Sequence, residues 1–85
     1  MSSYWWFDKQ TGWHGYEPQV NNEIARQAAL GNRKFRVQIR GQDYIIDLEQ
    51  MKQIHAKDSH KYRRIHCGQV PPGDGSMFVF EIPRD

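Results

Sequence analysis

Hydrophobic and polar positions alternate along most of this chain, and the helical period appears once. Residues 34–40, KFRVQIR, send Phe35, Val37 and Ile39 to one face and Lys34, Arg36, Gln38 and Arg40 to the other. Gly41-Gln42-Asp43 reads as the turn after this strand, and YIIDL returns as its partner. Near the N-terminus, YWWFD and WHGYE flank KQTG, which predicts an aromatic hairpin. Period two places Trp5 and Phe7 on one face and Trp6 and Asp8 on the other; Trp13 and Gly15 oppose His14 and Tyr16. Pro18 ends this strand because it has no N–H for a ladder. Residues 21–30, NNEIARQAAL, predict the helix, with Asn21 or Asn22 as cap, Glu23 in the first turn and Gly31 as stop. Its inward stripe is narrow: Ile24, Ala28 and Ala25. EQMKQIH reads as a short strand or a helical turn, Asp58-Ser59-His60 as a turn, and KYRRIH as a strand. One helix with five or six antiparallel strands makes an α+β domain.

Length and composition narrow the class. Eighty-five residues allow one domain. The 38% hydrophobic content is too high for disorder, and the mean hydropathy of -0.89 reflects a polar surface. A single cysteine, Cys67, excludes an internal disulfide framework and a cysteine-based zinc cluster. MSSYWW has no signal-peptide design, and no apolar run approaches a membrane span, so an intracellular domain, cytoplasmic or nuclear, is expected. The domain is expected over residues 4–66. From Cys67 the chain turns to GQVPPGDGS, a linker composition, and then to MFVFEI, a possible extra edge strand.

Charge is uneven. Arg33 to Arg64 hold nine bases and four acids, a local balance of +5, on a chain whose net charge is +2. A positive half of this kind suits a local anionic partner, although any single base reads more readily as a solvated strand residue. Catalysis finds no support. His14, His55, His60 and His66 are scattered, with no HExxH spacing, and there is no glycine-rich phosphate loop. Asp47 and Glu49 suit a turn or capping role better than acid–base work. No metal or cofactor is implied. Tyr44, Gln53 and Arg63 instead offer a phenol, a carboxamide and a guanidinium within the positive half. Such groups can stack on a base, read its edge and fork onto phosphate.

The order of residues resembles the WWE domain. The resemblance rests on Trp5-Trp6-Phe7, on Gly12-Trp13-His14-Gly15-Tyr16-Glu17 and on Gly31. It rests most specifically on Tyr44-Ile45-Ile46-Asp47-Leu48-Glu49-Gln50-Met51-Lys52-Gln53-Ile54 with Arg63-Arg64-Ile65. It implies an antiparallel half-barrel sheet wrapped on one helix, in a non-catalytic module of ubiquitin ligases and ADP-ribosyltransferases. It also implies recognition of ADP-ribose or iso-ADP-ribose units of poly(ADP-ribose). The family's binding tyrosine, glutamine and arginine fall on Tyr44, Gln53 and Arg63, with Lys61 and Arg64 as outer charges. A family tyrosine of the first strand falls on Phe7, a tryptophan of the second on His14, and the helix glutamate on Ala25. Phe7 and His14 are thus expected to line the pocket with Tyr44. Two alternatives follow: a protein-interaction WWE domain with a vestigial pocket, and general RNA or DNA binding by the aromatic hairpin. The latter is opposed by the expectation that most tryptophans lie in the core; neither a membrane nor specific DNA is an expected partner.

Overall fold

The computed structural model describes residues 3–69. Six strands and one helix follow in the order β1 (Tyr4–Asp8), β2 (Gly12–Gly15), α1 (Pro18–Ala29), β3 (Lys34–Ile39), β4 (Gln42–Asp47), β5 (Lys52–His55) and β6 (Asp58–Cys67). The sheet order is β2-β1-β6-β5-β4-β3, and every pairing is antiparallel. One helix packed on an open, curled sheet is the α+β half-barrel expected from the sequence. The run 77–82, expected as an extra edge strand, lies outside the described residues.

Register decides which side chains share a face, because directly opposed residues point the same way. The pairs Trp6↔Ile65, Gln53↔Arg63, Ile46↔Gln53 and Val37↔Tyr44 define the concave side. Tyr4, Val37, Ile46 and Ile65 on that side join Ile24 of α1 and Leu48 as the buried core. Ile24 and Ile46 are wholly shielded, and Ala25 and Ala28 let the helix lie close over one end of the sheet. That end is filled, and the other stays open.

Local chemistry moves several expected boundaries. α1 starts at Pro18, three residues earlier than expected, since proline's fixed φ suits the first helical position. Asn21 is therefore not a cap. Its Oδ1 accepts the Tyr4 N–H at 2.7 Å and ties the helix to β1. Gly31, at φ +86°, stops the helix as expected; its N–H reaches Ala28 O at 3.0 Å, and the Asn32 N–H reaches Gln27 O at 3.0 Å. These two bonds form a Schellman closure. The β3–β4 hairpin turns on Arg40 and Gly41, both at positive φ, rather than on residues 41–43. EQMKQIH resolves into a turn and strand β5, and Asp58-Ser59-His60 belongs to β6 rather than to a turn. The turn sits at residues 56–57, where the Lys57 N–H bonds His55 Nδ1 at 3.2 Å. Asp47, 3% exposed, accepts the N–H groups of Glu49 and Gln50 at 2.9 and 3.0 Å. It is a turn cap, as the sequence suggested.

None of the three tryptophans belongs to the buried core, against expectation. Alternation is the reason. Trp5 and Trp13 point to the convex side, away from the helix, and Trp6 lies beyond the part of the concave side that α1 covers.

Candidate ligand groove

The open end of the half-barrel forms a groove of about 900 Å³ between the β1–β2 turn, Tyr44 of β4, Gln53 and His55 of β5, and the start of β6. Its key side chains come from adjacent strands in register. Tyr44 sits opposite His55, ring edge to face at 5.6 Å, and Gln53 sits opposite Arg63. Tyr44, Gln53, Arg63 and Lys61 thus line one cavity, although Tyr44 and Arg63 are nineteen positions apart.

Gln53 forms the floor. It is 6% exposed, and its Oε1 accepts a 2.6 Å hydrogen bond from the Tyr16 hydroxyl. With Oε1 engaged, the carboxamide has its NH₂ to offer a ligand, and that group has no protein acceptor among the described residues. Burial pushes the Tyr16 phenol well above its ordinary value, while Arg63 opposes the shift weakly. The neutral phenol is thereby favoured, and it is the form that donates to Gln53. Arg63 marks the rim. Its guanidinium lies 5.1 Å from the Trp6 ring centroid, and its Nη1 approaches Phe7 O at 3.4 Å and Asp8 Oδ2 at 3.3 Å. Asp8 is held below the usual carboxylate range, chiefly by the Gln10 N–H and then by that of Thr11, with Arg63 adding to them. Lys9, Lys61, Arg63 and Arg64 all line the groove, and Asp8 is the one acid among the lining residues. Such a mouth favours an anion.

Of the two aromatic residues expected beside Tyr44, Phe7 lines the groove and His14 does not. Phe7 reaches the groove along β1, but its register with Trp13 turns the ring to the convex side, where it meets Trp13 at 5.1 Å and Arg64 at 4.9 Å. On β1 the residue on the concave side is Trp6, one position earlier. His14 shares that side but stacks on Trp6 at 4.6 Å, with Nε2 2.6 Å from Thr11 Oγ1, and is not part of the lining. It braces the ring that braces Arg63. Sequence reading also missed Tyr16 and His55, although hairpin alternation already placed Tyr16 on the His14 face and Trp6 on the face opposite Phe7.

Among the described residues no three histidine, cysteine, aspartate or glutamate side chains converge to hold a metal ion. No helix of these residues is long and apolar enough to cross a membrane.

Comparison with known proteins accords with this architecture. The WWE domain family model matches residues 3–67, which spans all six strands and the helix. No curated protein matches the chain. The chain belongs to the WWE domain family, whose members are binding modules, generally non-catalytic, for poly(ADP-ribose) or for protein partners.

Proposed function

We propose that the groove binds an ADP-ribose or iso-ADP-ribose unit of poly(ADP-ribose). The observation that carries this reading is the in-register pair Gln53 and Arg63, with Tyr44 on the next strand, in one cationic groove. Tyr44 offers an aromatic wall to adenine, Gln53 offers donors to its edge or to a ribose, and Arg63 forks onto phosphate. Lys61 adds charge at the mouth. The volume lies within the usual range of ligand sites, roughly 300–1,000 Å³. No step of catalysis is assigned. The module would bring poly(ADP-ribosyl)ated proteins to a ubiquitin ligase or ADP-ribosyltransferase carried in the same chain, in the cytoplasm or nucleus.

A charge-assisted bond to phosphate contributes roughly 1.5–3 kcal/mol, so Arg63→Ala weakens binding by about tenfold or more. Isothermal titration of wild type and Arg63→Ala with iso-ADP-ribose and ADP-ribose reads this directly. Equal affinities in the two proteins would refute the assignment.

One observation favours the second reading, a protein-interaction module with a vestigial pocket. Arg63 already has a carboxylate partner in Asp8. Under that reading neither nucleotide moves the groove's NMR signals, whereas a protein partner does.

A further inference from the structure

The convex side of β2, β1 and β6 carries a second set of aromatic and cationic groups, of which Phe7, Tyr62 and Arg64 reach the groove while Trp13, His66 and Lys52 do not. Trp13 is its centre, meeting Phe7 at 5.1 Å and His66 at 5.8 Å, both edge-on. Arg64 spreads over Phe7 at 4.9 Å and over Trp13 at 5.5 Å, and Lys52 lies over the Tyr62 ring at 4.3 Å. Lys52 and Arg64 are direct partners across β5 and β6, so the two cations stand side by side. Among the described residues neither is paired with a carboxylate. Asp43, on the same side, is engaged by Arg36 at 3.2 Å.

Half-exposed rings interleaved with unneutralised cations are the chemistry of a surface that stacks bases and tracks phosphates. The surface is continuous with the groove, because Arg64 both lines the groove and covers the rings behind it. We propose that this face takes the unit of poly(ADP-ribose) that follows the one seated in the groove. Its adenine stacks on Trp13, and its diphosphate meets Arg64 and Lys52. The polymer thus passes from one side of the sheet to the other between the β1–β2 turn and the first half of β6, where the β1–β6 pairing ends at Trp6↔Ile65. This proposal rests on the groove reading.

The test compares one iso-ADP-ribose unit with size-fractionated poly(ADP-ribose), by titration and fluorescence polarisation, on wild type, Trp13→Leu, Lys52→Gln and Arg63→Ala. Wild type is expected to bind the polymer more tightly than the single unit. Trp13→Leu is expected to lose about tenfold on the polymer, the worth of one stacked base, with affinity for the single unit unchanged. Lys52→Gln, a surface change that leaves the fold intact, is expected to lower the salt dependence of polymer binding alone. Polymer binding that is insensitive to both variants overturns the proposal. So does a single-stranded RNA of equal length that binds as tightly through Trp13. If Arg63→Ala binds the single unit as wild type does, the groove reading has failed. If unit binding needs Arg63 but the polymer ignores Trp13 and Lys52, only the convex subsite has failed.

Discussion

Tyr16→Phe tests how the groove is built, because it removes one hydroxyl and little else. In the wild type that hydroxyl donates at 2.6 Å to Gln53 Oε1, on a side chain only 6% exposed. A neutral hydrogen bond contributes about 0.5–1.5 kcal/mol, and a buried acceptor left unpaired costs about 1–3 kcal/mol. Destabilisation of about 1–2 kcal/mol follows, and each kcal/mol lowers the Tm of a domain this size by roughly 4–8 °C. Binding should suffer through a separate route, since the carboxamide is no longer held with its NH₂ toward the groove. Coupled neighbours of this kind share roughly 0.5–3 kcal/mol, so a loss near fivefold in iso-ADP-ribose affinity is expected. The assay is a double-mutant cycle by calorimetry: Tyr16→Phe, Gln53→Ala and the pair. If Tyr16 acts by orienting Gln53, its effect on affinity disappears in the Gln53→Ala background. An undiminished loss there would show that Tyr16 works by another route and would refute the reasoning.

Asp8→Asn keeps the Oδ1 that accepts the Gln10 and Thr11 N–H groups but removes the charge facing Arg63, so affinity for a diphosphate ligand should rise about threefold to tenfold. A decrease on titration would count against competition between Asp8 and phosphate. Ile24→Ala empties the fully shielded contact between helix and sheet and should destabilise by about 2–5 kcal/mol, read from urea midpoints. Acid sensitivity follows from Asp8 and Glu23, both held below their ordinary values, Asp8 first by the Gln10 N–H and Glu23 first by Arg26. A depressed carboxylate stabilises the fold above its unfolded value, near 3.8 for Asp8 and 4.5 for Glu23, and loses that contribution as pH falls through the folded value. Urea midpoints should therefore drop beneath that range, and less so in Asp8→Asn.

Much of this architecture is legible in the residues because period-two alternation survives folding. Phe35, Val37 and Ile39 face the helix as their spacing demands, and Gly31 stops α1 with the positive φ that glycine permits. The groove is legible only in part. Tyr44, Gln53 and Arg63 fall on residues whose register is fixed by two consecutive hairpins, so their meeting is encoded locally. Phe7 does line the groove, but one position along a strand changes the face, and only the pairing Trp6↔Ile65 shows that Trp6 is the first-strand aromatic residue on the concave side. Asn21 was misread as a cap because Pro18 can open a helix without one. The tryptophans were expected inside because large rings usually are, but a helix stripe of one isoleucine and two alanines covers just one end of the sheet.

The most direct test of the account is an NMR titration with iso-ADP-ribose that follows the Gln53 side-chain amide, the Arg63 Nε–H and the Trp13 indole. The account predicts that the first two shift together and saturate at one affinity, while the indole on the convex side stays in place. Movement of the indole alone, or no movement of Gln53 and Arg63 at saturating ligand, would contradict it.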